Sequence, residues 1–331
     1  MNQPSDKKDQ WFKDMIGSPY LFPVFVIVGV VLGSSLMLPI ISWLKRSSNY
    51  VIVYTSQDQV YAEPIFQGFT KQTGIKVRAV YDSEAVKTVG LVNRLIAEKN
   101  HPQCDVFWNN EELRTRQLEK QGVLRETNSW EVFGFRKRQL VINTNQLTNP
   151  KCPRILLALT NAACRGKVAL AYPMFGTSAT HFLALRQILG ESNWENWCRA
   201  LAANKPFLVD GNSVVVKLVG SGEAWIGLTD SDDVKAGQRE GLPIQGIDLG
   251  HLNFFIRNTV TVTRNAPHPA AAQKLFDYLR SSEVNQKLYV AGAIEGYSSG
   301  EIYIMPPKID WDDLLRTQET GMTTLKGIFL R

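Results

Sequence analysis

The chain has 331 residues, of which 44% are hydrophobic and 21% charged, and its formal net charge is +6. That length supports two domains and a sizeable core, and the composition excludes a disordered, collagenous or low-complexity chain. No Lys/Arg run marks a nucleic-acid footprint, so a nucleic-acid partner is excluded, while the mild positive balance suits a small anionic ligand.

Residues 1–14 form a short polar tail. From Met15 to Leu44 there is no charged residue, and Leu21 to Trp43 is almost wholly apolar. At about 1.5 Å per residue such a helix exceeds the roughly 30 Å hydrocarbon core of a bilayer. The stretch is too long for a signal-peptide core, and neither an Ala-x-Ala site nor a lipid-accepting Cys follows it. Residues 15–48 therefore predict an uncleaved single-span anchor; a buried core helix is the alternative. Lys7, Lys8 and Lys13 on one side and Lys45 and Arg46 on the other leave orientation undecided by charge. Of the four cysteines, Cys152 and Cys164 could close a loop in an oxidising compartment or remain buried thiols, and no Cys/His spacing fits zinc.

Val51–Tyr54 reads as a buried strand, followed by the polar loop Thr55–Gln59. A helix is predicted from near Tyr61, with Pro64 in its first turn, Ile65, Phe66 and Phe69 inward and Gly74 as its stop. Ile75–Val80 is the next strand, and Tyr81-Asp-Ser-Glu84 leads to a helix with Ala85, Val89, Val92 and Ile96 on one stripe. Cys104-Asp-Val-Phe-Trp-Asn-Asn-Glu111 runs from strand to helix, with Asn109 or Asn110 either capping that helix or lining a cleft. Arg138–Asn143 reads as a strand leaving one domain, and Asn258–Thr263 as its return. Between them lie the strand Gly166–Tyr172, the loop Pro173–His181 and an apolar helix bearing Phe182, Leu185 and Leu189. Gly176, Thr177 and Ser178 at that helix start offer hydroxyls, amides and the positive dipole end, an anion cradle; simple capping is the alternative. Trp194–Ala203 is a further helix, Phe207–Asp210 a short strand, and Pro267–Leu279 a helix with proline in its first turn.

The stretch Asp210–Asp230 organises the rest. Ser213 is the expected N-cap of a short helix with Val214, Val215 and Leu218 on one face, ended by Gly220 and Gly222. Ala224–Leu228 then makes a buried strand, with Asp210, Asn212 and Ser213 before the unit and Thr229 and Asp230 in the loop after it. In open α/β sheets ligands gather at such strand ends.

Four segments carry a family resemblance: Phe69-Thr-Lys-Gln-Thr-Gly-Ile-Lys-Val77, Asp105-Val-Phe-Trp-Asn-Asn-Glu111, Ser221-Gly-Glu-Ala-Trp-Ile-Gly-Leu-Thr-Asp230 and Pro267-His-Pro-Ala-Ala271. Together they resemble the extracellular solute-binding proteins of ABC importers, in the iron(III)-type branch that takes ferric and phosphonate ligands. The resemblance covers about residues 49 to 295 and implies an α/β, two-lobed, class II periplasmic-binding-protein fold with a two-strand hinge, preceded here by the transmembrane helix. It places lobe 1 at 49–140 plus 256–297, lobe 2 at 141–255, and C-terminal helices packing on the lobes at 298–331. It implies a non-enzymatic, extracytoplasmic binding component that closes on a small anionic or ferric ligand and partners an ABC permease. No cofactor is implied.

No P-loop, nucleophile elbow, dinucleotide fingerprint or zinc-protease motif is present. Iron-binding relatives typically place two adjacent tyrosines where this chain has Thr229 and Asp230, and small hydroxyls with one carboxylate do not reproduce a phenolate shell. Tyr54, Tyr61, Tyr81 and Tyr172 remain as alternative oxygen donors, and the metal ligands stay unknown. The ligand-contact candidates are Ser56, Gln57, Asp58, Ser83, Glu84, Asn109, Asn110, Thr177, Ser178, Asn212, Ser213, Thr229 and Asp230, with Asp230 or Glu84 placed to meet a cationic group of an aminoalkylphosphonate. His181 adjoins the cleft loop and reads as a helix-capping residue. A ligand-sensing adaptor on the same fold and an enzyme using Asp58, Glu84 or Asp230 as base are the rival functions.

Overall fold

Alternating buried and half-buried β-branched segments fold into two mixed sheets that share one long strand. The computed structural model describes residues 49–81, 88–146, 154–296 and 307–330. The expected anchor at 15–48 lies outside them, and among the described residues no helix is long and apolar enough to cross a membrane.

In chain order the first lobe runs β1 (Tyr50–Thr55), α1 (Gln59–Thr73), β2 (Lys76–Tyr81), α2 (Val89–Ala97), β3 (Val106–Asn109) and α3 (Glu112–Lys120). The crossing strand β4 (Trp130–Asn143) leads to β5 (Val168–Ala171), α4 (Gly176–Leu189), α5 (Glu191–Ala203), β6 (Phe207–Val209), α6 (Asn212–Ser221), β7 (Ile226–Asp230), α7 (Ser231–Arg239) and β8 (Ile244–Asp248). The chain returns through β9 (Phe255–Val262) and ends with α8 (Pro269–Leu279), α9 (Ser282–Ala291) and α10 (Trp311–Phe329).

Strand order is β2-β1-β3-β9-β4-β7-β5-β6, with β8 pairing β4 off that path. From Trp130 to Lys137, β4 runs antiparallel to β9; from Arg138 to Asn143 it runs antiparallel to β7 and β8. The partner of β4 thus changes between Lys137 and Arg138, where the crossing strand was expected to begin. Phe254 carbonyl accepts from Arg138 N at 2.8 Å, so the two crossings are tied where they pass.

Each sheet buries its own core. Phe66, Phe69, Trp108, Phe133, Leu275 and Phe276 belong to one cluster in the first lobe. Phe182, Trp194, Leu201, Leu228 and Phe329 belong to another in the second. Gly74 ends α1 in the left-handed region at φ 73°, as its position predicts. Helix α1 nonetheless begins at Gln59, two residues earlier than expected, which places Pro64 inside it instead of in its first turn. Helix α2 buries Leu91, Val92 and Leu95, so Val92 lies on the buried face as expected, while Val89 and Ile96 are half-buried and the stripe is rotated by about a quarter turn.

The organising stretch also departs from its reading. Gly211, not Ser213, is the N-cap of α6, and the buried face is Val215, Val216 and Val219. Thr229 and Asp230 are the last residues of β7 and not a loop, because they pair with Gln139 and Arg138 across the sheet. A Cβ on Gly227 would meet Val215 from α6 and approach the Ala169 carbonyl to 3.1 Å, so glycine sets the spacing between that helix and β7. Gly227→Ala should lower unfolding stability by about 1–3 kcal/mol through overpacking. A urea midpoint unchanged from wild type would contradict that close approach.

Candidate functional site

Several helix starts and strand ends converge where β4 passes between the lobes. The cavity there is about 50 Å³ and is lined by Asp58, Thr88, Asn110, Arg136, Tyr172, Gly176, Thr177, Ser178, Asp210, Asn212, Asp230 and Asp233, with Ala171, Phe175 and Gly211. Asp58 is the N-cap of α1, and Asp230 that of α7. The N-caps of α4 and α6 are Phe175 and Gly211, and neither supplies a side-chain cap. Thr177 and Ser178 therefore do not serve as simple caps.

The cavity floor is a buried charge network. Arg138 Nη1 donates to Asp230 Oδ1 at 2.6 Å and to Asn212 Oδ1 at 3.2 Å. Asp230 Oδ2 accepts from Thr177 Oγ1 at 2.7 Å and from Asn212 Nδ2 at 3.1 Å. Arg136 Nη1 lies 2.7 Å from Asp232 Oδ2 and 3.8 Å from Asp230 Oδ2, and its Nη2 donates to the Asn110 carbonyl at 3.2 Å. Arg138 and Asp230 are respectively 0% and 1% exposed, so the carboxylate survives burial only through these partners. Burial pushes the Asp230 carboxyl upward, but Arg138, Arg136 and the hydrogen bonds outweigh it and hold it below its ordinary value. Asp232 goes the other way: burial, opposed by Arg136 and reinforced by Asp230 and Asp58, raises it to about 6. Arg136 is raised in spite of its burial, because Asp232 and Asp230 face it. Oxygens of Asp230, Asp232 and Asp233 lie within 4.8 Å of one another, a grouping with the reach to hold a metal ion.

Of the residues expected from sequence, Asp58, Asn110, Thr177, Ser178, Asn212 and Asp230 line this cavity. Asn110 Nδ2 donates to the Ser56 carbonyl at 2.8 Å, whereas its Oδ1 has no partner among the described residues. Ser56 and Asn109 are buried behind it and bond to each other at 2.9 Å. Asn109 also reaches Thr115 Oγ1 at 3.0 Å, which makes it a brace between β3 and α3. Glu111, not either Asn, caps α3 by accepting from Leu113 N and Arg114 N. Gln57 and Ser213 stand beside the cavity without lining it, and Thr229 Oγ1 donates to the Asn212 carbonyl at 3.2 Å. Ser83 and Glu84 lie outside the described residues.

Sequence reasoning missed Arg136, Arg138, Thr88 and Asp233. The signal for the arginines was two cations alternating on a strand otherwise read as buried, which demands buried acids as partners. His181 is not a cap. It is 0% exposed within α4, is stacked on Phe254 at 5.4 Å, and neither ring nitrogen has a partner among the described residues. Burial first, then Arg138, holds its pKa well below the ordinary value. With Asp230 saturated and His181 unpartnered, no nucleophile–base pair is assembled among the described residues. Among the tyrosines considered as donors, Tyr172 lines the cavity; Tyr54 donates to Glu98 at 3.0 Å, Tyr81 to Glu63 at 3.3 Å, and Tyr61 accepts from Arg239 at 2.9 Å.

The raised Asp232 value has a signed consequence. The folded chain holds this proton more tightly than the unfolded chain, so the contribution is fully present below the ordinary value of 3.8 and is lost as pH rises through about 6. Asp232→Asn should remove a falling component from the stability–pH curve between those values. A wild-type–variant difference that stays flat across the interval, by urea unfolding, would rule this out.

Comparison with known proteins agrees with the fold. The chain is 28% identical over 217 residues to an Fe(3+)-binding periplasmic protein of Serratia marcescens, a match spanning 60% of this chain and 62% of that protein. Its fold is similar to iron-bound HitA from Pseudomonas aeruginosa, at TM-score 0.73 and 18% identity over 83% of this chain and 99% of that one. It is also similar to AfuA from Actinobacillus pleuropneumoniae with fructose-6-phosphate bound, at TM-score 0.72 and 17% identity over 85% and 98%. The profile of the bacterial extracellular solute-binding proteins matches residues 50–292, and the chain belongs to that family.

Proposed function

We propose that the chain is the extracytoplasmic binding component of an ABC importer, held to the membrane by a single span over residues 15–48 and read by a permease when its lobes close. Its ligand is a small phosphate- or phosphonate-type anion whose body carries hydroxyl or ammonium groups. The supporting observation is the pairing of two helix starts without side-chain caps, those of α4 and α6, with four carboxylates around one cavity. Helix starts supply amides and a positive dipole end for the anion. Asp58, Asp210, Asp230 and Asp233 stand opposite a single lining guanidinium, Arg136; Asp230 is taken up by Arg138, Thr177 and Asn212, and the other three suit hydrogen-bond donors on the rest of the ligand. AfuA, crystallised with a sugar phosphate, offers a fold precedent for such a ligand.

Ferric ion is the second reading, favoured by the Asp230, Asp232 and Asp233 grouping and by the printed names of the Serratia and Pseudomonas relatives. Against it stands the lining, which has one phenol, Tyr172, among the described residues. Two of the three grouped carboxylates are also already paired with arginine.

Native mass spectrometry of chain purified without refolding, with elemental analysis for iron, decides between the readings. A retained phosphate or phosphonate is expected, and retained ferric ion would overturn the anion reading. Ser178→Ala should then weaken that ligand about tenfold or more by calorimetry, the effect of one charge-assisted bond. The anchor is tested separately. The full chain should stay in membranes through an alkaline wash, and removal of residues 1–48 should release it. Release of the full chain by the wash would refute the anchor.

A further inference from the structure

Helix α7 runs from the cavity floor to the rim of the cleft and touches the opposite lobe along its length. At its start Asp232 takes Arg136 at 2.7 Å, and Ser231 Oγ accepts from Lys137 N at 3.2 Å. Lys235 and Arg239 follow four residues apart and so share a face. Lys235 Nζ lies 2.7 Å from Glu295 Oε1 in the first lobe. Arg239 donates to the carbonyl of Ala291 and, at 2.9 Å, to Tyr61 Oη. Ala291 is the last residue of α9, whose terminal carbonyls carry the negative end of the helix dipole, a natural seat for a guanidinium. The residue beyond it, Gly292, has φ 73°, and a Cβ there would come within 3.2 Å of Arg239 Nη1, so glycine admits the cation.

We propose that α7 is a latch. Lys235 and Arg239 fasten the second lobe to Glu295, Tyr61 and the end of α9, so that the closed arrangement is populated by contacts the chain makes with itself. Val234 and Gly237 pack the other side of α7 into its own lobe, so the helix moves with that lobe as a unit. The rim contacts are partly exposed (Lys235 38%, Glu295 19%) and are therefore screened by salt. The buried Arg136–Asp232 contact at the hinge is not. Opening is thus easiest at the rim, and ionic strength sets how often it happens. A cavity of about 50 Å³ in the closed arrangement is far below the roughly 300–1,000 Å³ of sites for organic ligands, so admission of such a solute requires that opening. The latch is independent of which solute the cleft takes.

The test uses the full chain, dialysed extensively, with nitroxide labels on Lys217→Cys in the second lobe and Lys274→Cys in the first. Both positions are exposed, and the free native thiols Cys104 and Cys198 are buried. Pulsed dipolar spectroscopy at low salt should give a dominant short distance. Lys235→Glu should reduce the short population several-fold, and Glu295→Lys added to it should restore the population, a rescue that simple loss of packing would not give. Raising the salt to about 1 M should move the wild type in the same direction as Lys235→Glu. An undiminished short distance in Lys235→Glu, or a double variant no more closed than the single, overturns the latch.

Discussion

The buried pair between Arg138 and Asp230 sets the geometry of everything around it. Two charges with almost no solvent contact are favourable only when every remaining donor and acceptor position is met. Asp230 meets this through Thr177 from α4 and Asn212 from α6, so one carboxylate fixes two helix starts and the end of β7 at once. Arg138 meets it only in part, since its Nε has no partner among the described residues, but it sits at the residue where β4 changes partner from β9 to β7. The cavity is therefore built outward from a neutralised pair that stands on two strands, β4 and β7.

That arrangement also explains why acids dominate the lining without repelling the lobes apart. Arg136 and Arg138 absorb Asp230 and Asp232 beneath the surface, at 2.6 and 2.7 Å, which leaves Asp58, Asp210 and Asp233 to face the cavity. Asp230 already occupies the centre of the anion cradle expected at Thr177, with the hydroxyl and the Asn212 amide both aimed at it. What the cradle has left for a ligand is the first-turn amides of the two helices and the Ser178 hydroxyl, which is held by two long contacts, donating to Asn212 Oδ1 at 3.5 Å and accepting from Arg138 Nη2 at 3.4 Å. The same carboxylate that shapes the site thus narrows it.

Most of the architecture was legible because its signals are local. Val51–Tyr54, the α1 face of Ile65, Phe66 and Phe69, the stop at Gly74 and the helix at Pro269 each depend on neighbours within a turn or two. The site was legible only where loop chemistry is local as well, as at Asp58, Thr177 and Asn212. Arg138 and Asp230 lie 92 residues apart, and nothing near either announces the other. The reading of Asp230 as loop failed for the same reason, since its strand character comes from pairing with Arg138. Glu111 displaced Asn109 and Asn110 as the cap of α3 because Asn109 is already spent on Ser56 and Thr115. Those are contacts of tertiary origin.

The C-terminal helix then constrains how such a cleft can move. Leu314 of α10 packs in one cluster with Leu113 of the first lobe, Leu183 of the second, and Phe254 and Ile256 of the return crossing. Polar contacts repeat the pattern, with Gln318 accepting from Arg114 at 3.3 Å on one side and the Thr317 carbonyl accepting from Arg186 at 3.1 Å on the other. A helix fastened to both lobes and to the hinge makes the back of the molecule the stiff edge, because separating the lobes there would expose a shared apolar cluster. At the α7 edge the interlobe contacts are polar and partly wet, and water can replace them at small cost. The asymmetry directs opening to one side, so that the two crossings act as an axis, α10 as a fixed spine, and α7 as the face that swings.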